Sequence, residues 1–173
     1  MSVPNLLLVA AVALVRLVEL GVARRHTLRA LAAGGVEHGR GHYPVMVALH
    51  VGLLAGAALE PIALQRPFVP LRFAVGLAVL LAAGALRLWT IVTLGRRWTT
   101  RVIVLPGAPL VEAGPFRWLR HPNYLAVVVE VAALPIAVGA YATAVVAGIL
   151  NLLVLAVRIR VEETALGLRR VTP

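Results

Sequence analysis

Five long apolar runs, each cut short by arginine, proline or glycine, decide what this chain can fold into: roughly residues 3–23, 44–63, 68–94, 122–139 and 141–159. A run of about 20 apolar residues spans the hydrocarbon core of a bilayer as a helix, and inside lipid every backbone N–H and C=O must find its partner within the segment. The spacing therefore predicts an all-α integral membrane protein of about five transmembrane helices, forming one domain over residues 1–173. Composition agrees, with 61% hydrophobic and 14% charged residues and a mean hydropathy of +0.92, against about 25% charged in an average soluble domain. The fourth and fifth runs are parted only around Gly139, which predicts a tight helical hairpin, with Pro135 kinking or ending the fourth helix. No basic residue precedes the first run and no clean small-residue cleavage site follows it, so it is read as a span and not as a cleaved signal peptide.

The net charge of +10 comes from arginine alone, and the arginines stand between the apolar runs. Arg24, Arg25, Arg29 and Arg40 fall in the first connection. Arg96, Arg97, Arg101, Arg117 and Arg120 fall in the third, and Arg158, Arg160, Arg169 and Arg170 at the C-terminal end. The second connection has only Arg66, with Arg72 just inside the next run, and the fourth has none. By the positive-inside rule this places the N-terminus outside and the arginine-rich segments in the cytoplasm, next to anionic headgroups. That account of the charge leaves no call for nucleic acid. The absence of cysteine excludes disulfides, a thiolate nucleophile and Cys-ligated metal. His38 and His42, with Glu37 adjacent, have metal-site spacing only if their loop is helical, and no metal is expected.

Two segments are too polar for lipid. GPFRWLRHPNY, Gly114 to Tyr124, sets Arg117, Arg120, His121, Asn123 and Tyr124 against the start of a membrane helix, where Pro122 suits the first turn. Unpaired N–H groups and the positive dipole end there could hold a carboxylate together with Arg120 and His121; the alternative is a basic, aromatic belt that anchors the helix. NLLVLAVRIRVEETAL, from Asn151, places Asn151, Leu155, Arg158 and Glu162 on one helical face, with Glu163 beside them. Arg158 and Glu162 stand in the less favourable i,i+4 order, so the stripe is poorly explained by helix stability alone and suits a cavity or a partner. Its alternative is a solvated helix end.

RHPxY opening one membrane helix and R-x-x-x-E-E ending the next together resemble the cofactor-binding pair of the isoprenylcysteine carboxyl methyltransferase and phospholipid methyltransferase superfamily. The resemblance implies S-adenosylmethionine as methyl donor, with S-adenosylhomocysteine as product, enclosed by the C-terminal hairpin and the loop before it at the cytoplasmic face. It carries that role onto Arg120, His121, Pro122, Tyr124, Arg158, Glu162 and Glu163, and Asn151 joins them as the inner end of the stripe. Two positions depart from the pattern: the Gly two residues after the Tyr is Ala126, and the Tyr of GPYR is Phe116. LGRRWTTRVIVLPGAPLVEAGPFRWLRHPNYL, the Arg16/Glu19 pair and GGVEHGRGHYP are further similar to a short bacterial branch that O-methylates long-chain phenolic lipids such as alkylresorcinols and alkylpyrones. That implies a protein of the bacterial cytoplasmic membrane, with a lipid-like substrate entering from the bilayer.

A phenol, with a pKa of about 10, must lose its proton before or during attack, whereas a carboxylate acceptor is already ionised. A phenolic acceptor thus calls for a base, and three residues are candidates: Glu130 within the fourth span, His42 just before the second, and His50 inside it. Each has a plain alternative in a hydrogen bond to a neighbouring helix or headgroup. Arg87, Arg16 and Glu19 read as structural pairs or snorkelling side chains, and Trp98 as an interface anchor. Isoprenylcysteine carboxyl methylation, phospholipid N-methylation, an NADPH-dependent reductase of related fold and a non-enzymatic membrane subunit are the alternatives, and ligand binding separates the last two from a methyltransferase.

Overall fold

The computed structural model describes residues 1–168; Arg169 and Arg170 lie outside the described residues. Five helices follow the five apolar runs: α1 Val3–Ala32, α2 His42–Ala63, α3 Pro70–Leu94, α4 Pro122–Val138 and α5 Tyr141–Ala165. α1, α2, α3 and α5 are long and apolar enough to cross a membrane. At 17 residues α4 rises about 25 Å, near the lower limit for a span. Pro70 and Pro122 sit in the first turns of α3 and α4, where a missing N–H costs nothing.

The ends of α1 and α5 correct the sequence reading. Arg24, Arg25 and Arg29 belong to α1, not to a connection, and α5 continues beyond Arg160 to Ala165. Arginine is a good helix former, so a helix that leaves the apolar layer has no reason to stop there. The first and third connections also pair as a short antiparallel ladder, β1 Val36–His38 with β2 Val102–Val104, in which Glu37 stands opposite Ile103. Residues 36–38 are thus extended, and the helical spacing of His38 and His42 does not arise. Buried Glu37 ties the ladder down through Arg101 at 3.1 Å and Arg40 at 3.2 Å.

α4 is the buried centre of the bundle. Its Ala133, Leu134, Ala137 and Val138 pack with Leu8 and Val9 of α1, Ala57 of α2 and Leu80 of α3, while Val127 and Val131 meet Leu53 of α2 and Ala147 of α5. Lipid offers no hydrophobic gain for joining helices, so close approach through small residues does this work: a Cβ on Gly76 would lie 2.4 Å from that of Ala137. Gly139 takes φ +88° to turn α4 into α5, and Ala140 N–H returns to the Pro135 carbonyl at 2.7 Å. The expected hairpin is therefore present, with Pro135 inside the last turn of α4.

Candidate functional site at the arginine-rich end

The two polar motifs meet. α4 and α5 run antiparallel from their turn at Gly139, which brings the first turn of α4 beside the last turns of α5. Arg158 Nε donates to Tyr124 Oη at 2.9 Å, and Tyr124 in turn donates to Glu162 Oε2. The Arg158 guanidinium also lies over the Tyr124 ring, 5.6 Å from its centre. His121 stacks on Tyr124 with ring centres 5.3 Å apart, and its Nε2 donates to Glu163 Oε1 at 3.2 Å. Arg120 Nη1 lies 3.5 Å from the same oxygen. Pro122 is fully buried beneath them. The stripe on α5 faces inward as its spacing predicts, with Asn151, Leu155 and Arg158 all buried.

Arg120, His121, Pro122, Tyr124, Arg158 and Glu162 form one wall of a cavity of about 340 Å³, whereas Glu163 lies outside its lining; the volume is at the lower end of the range for small-molecule sites. The opposite wall comes from the third connection, with Trp98, all of β2 and Phe116. Two polar atoms of residues that line the cavity are buried without a hydrogen bond: Trp98 Nε1 on this wall and Asn123 Oδ1 in the first turn of α4. Trp98 is 3% exposed, its backbone carbonyl accepts from His26 Nδ1 at 2.9 Å, and it is therefore a cavity residue and not an interface anchor. Its sequence gave no sign of this, because the α1 histidine that fixes it lies 72 residues away. A buried N–H that is left unpaired costs about 1–3 kcal/mol, which a ligand in the cavity could recover. Arg120, 71% exposed at its side chain, stands on the rim.

Other expected site residues lie elsewhere. Asn151 is 2% exposed but sits two turns, about 10 Å, along α5 from Arg158, outside the cavity wall. Glu130 is also away from the wall, in a set of four ionic side chains. Arg16 bridges Glu19 and Glu130 at 2.5 Å each, and Arg87 meets Glu19 at 2.8 Å and Glu130 at 3.5 Å. The set joins α1, α3 and α4 with equal numbers of positive and negative groups, so Arg16, Glu19 and Arg87 are structural pairs and do not snorkel. His42, Met46 and His50 follow one another on one face of α2. Met46 links them to the site, its sulfur accepting from Arg158 Nη1 at 3.7 Å and its carbonyl from His50 Nδ1 at 2.8 Å. Neither histidine lines the cavity.

A helical membrane protein with a ligand-sized polar site at one interface is the class that this geometry defines. The chain belongs to the isoprenylcysteine carboxyl methyltransferase (ICMT) family, a family of membrane methyltransferases, whose model matches residues 74–167. It is similar to the uncharacterized protein YpbQ of Bacillus subtilis (strain 168), 34% identical over 161 residues that cover 92% of this chain and 95% of the relative. It is also similar to an uncharacterized protein of Haemophilus influenzae, 30% identical over 159 residues, covering 91% of this chain and 92% of that one. No solved structure matches the chain.

Proposed function

We propose that the chain transfers a methyl group from S-adenosylmethionine to the oxygen of a long-chain phenolic lipid or alkylpyrone, at the cytoplasmic face of a bacterial inner membrane and with its N-terminus outside. The observation that carries this reading is the convergence of Arg120, His121 and Tyr124 with Arg158 and Glu162 on one cavity, with Glu163 bonded to His121 outside its lining. S-adenosylmethionine, when bound, supplies an electrophilic methyl group on a cationic sulfur. The wall suits that molecule: Glu162 for the ammonium or ribose hydroxyls, with Glu163 orienting His121 from outside the lining, Arg120 at the rim for its carboxylate, and the unpaired Trp98 N–H and Asn123 Oδ1 for ring or hydroxyl groups. Adjacent carboxylates suit a cation better than the pyrophosphate of a nicotinamide cofactor, which counts against the reductase alternative.

The protein's task is to place an acceptor oxygen in line with that methyl group and keep water away, a contribution of about 7–11 kcal/mol. Arg158, held by Tyr124 on one side and reaching α2 on the other, is placed to orient a phenolate, whose negative charge it favours. The phenolic proton needs an acceptor. Among the three candidates His42 is placed best: it opens α2 at the arginine-rich end, one turn before Met46. His50 lies two turns further in, and Glu130 is engaged by both Arg16 and Arg87. Lipid substrate and membrane lipids are the partners of this reading, with neither metal nor nucleic acid required.

Calorimetry of S-adenosylhomocysteine with the purified protein in nanodiscs, with NADPH as comparison, tests the proposal. Micromolar binding of the homocysteine compound alone is expected. Binding of NADPH instead, or of neither by folded protein, overturns it.

A further inference from the structure

A second cavity, of about 600 Å³, lies between α2 and α5 and shares no residue with the site above. Val45, Leu49 and Gly52 form one wall, and Thr143, Val146 and Leu150 the other. Among the described residues, the only charged one that lines it is Glu60, and that carboxylate is used up at the start of α5. It accepts from Ala142 N–H at 3.0 Å, Thr143 N–H at 2.8 Å and Thr143 Oγ1 at 2.7 Å. The groove thus offers hydrocarbon contact and nothing for a polar head.

Two glycines one turn apart define its shape. At Gly56 the helices touch, since a Cβ there would lie 2.5 Å from Thr143 Oγ1, whereas a Cβ at Gly52 would meet nothing within 4 Å. The groove is therefore closed at the Glu60 end and open from Gly52 onward. Its other end reaches Val45, next to Met46, whose sulfur is bonded to Arg158 of the first cavity. The exposed side chains of Val45, Val146 and Leu150 form lips that face lipid. From Val45 to Gly56 the groove runs about 16 Å along α2.

We infer that this groove holds the alkyl tail of the methyl acceptor, stretched along α2 with its polar head at Arg158, an inference that rests on the methyltransferase reading. The tail enters sideways between the lips, so the substrate need not leave the bilayer to reach the cofactor site. Gly52 then sets how far the tail can run, since any larger side chain there projects into the space the chain occupies.

The test uses the full chain in nanodiscs, with S-adenosylhomocysteine binding measured beside turnover of 5-pentadecylresorcinol and 5-pentylresorcinol. The wild type should favour the longer tail, and Gly52→Leu should reduce that preference about tenfold or more, the factor carried by roughly two buried methylenes. Val51→Leu, on the lipid-facing side of α2, should behave as wild type. A photoreactive group at the tail end of the longer compound should label residues of α2 and α5 that line the groove. If Gly52→Leu still binds S-adenosylhomocysteine but keeps the full preference, or the label falls on other helices, the groove proposal is overturned while the methyltransferase reading stands. If the wild type binds S-adenosylhomocysteine but turns over neither compound, the acceptor and its groove both fall. Failure of the wild type to bind S-adenosylhomocysteine overturns the underlying reading itself.

Discussion

The bundle holds two clusters of charged side chains, one deep between α1, α3 and α4 and one where α4 begins and α5 ends. In the deep cluster Arg16, Glu19, Arg87 and Glu130 answer one another with two charges of each sign, and none of the four lines the cavity beside the second cluster. In the cluster near the surface, Tyr124, Arg158, Glu162, His121 and Glu163 are also joined, yet all but Glu163 line a cavity in which Trp98 Nε1, from the third connection, and Asn123 Oδ1, from α4, are buried without a hydrogen bond. Both would be flagged in a sequence as ionisable residues in a membrane. Arg87 Nη1 in the deep set is likewise buried without a hydrogen bond, so what separates the two sets here is that one lines a cavity and the other does not.

The sharpest way to break this contrast is to open the deep set. Arg87→Leu leaves Glu130 and Glu19 short of a cation, and losing one partner of a buried pair costs about 3–5 kcal/mol. Denaturant titration in detergent should show this loss, while the folded fraction binds S-adenosylhomocysteine normally. Adding Glu130→Leu to that variant should return part of the stability, because one uncompensated charge is removed; stability equal to wild type in the single variant would refute the structural role.

The opposite pattern is expected at the cavity. Glu162→Ala should weaken S-adenosylhomocysteine binding about tenfold, or about 1.4 kcal/mol, with little change in the unfolding midpoint; unchanged affinity removes Glu162 from the site. Trp98→Phe keeps an aromatic ring but removes the N–H together with the pyrrole part of the indole, so affinity should fall by at least about 0.5–1.5 kcal/mol by calorimetry. Equal affinity would show that this N–H faces no ligand atom. The smallest effect belongs to Arg120→Ala, since an exposed rim charge is worth about 0–1 kcal/mol. Its loss should shrink as salt is raised, and salt-independent weakening would contradict a rim role.

Much of this was legible in the residues. The five helices follow from run length, the hairpin from Gly139, and the meeting of RHPxY with R-x-x-x-E-E from their placement at neighbouring helix ends. Other features depend on distant partners that no local pattern contains. Glu130 reads as an isolated carboxylate until the fold brings Arg16 to it from 114 residues away. Asn151 shares the helical face of Arg158, but periodicity sets direction around a helix and not depth along it, so its place outside the cavity was invisible. The ladder of β1 and β2 is three residues long on each side, too short for any alternation to register.

The family match begins at residue 74, inside α3, and so omits the helix that supplies Arg16 and Glu19. A truncated protein starting there would carry Arg87 and Glu130 into the bilayer with each other as their only remaining ionic partners within the deep set, and would lose Met46, the α2 contact of Arg158. The N-terminal pair of helices is therefore no accessory to a self-sufficient C-terminal module. Attempts to express the part from residue 74 onward alone, or to graft it onto another membrane anchor, should yield material that cannot settle into a single arrangement unless that anchor brings its own matching charges.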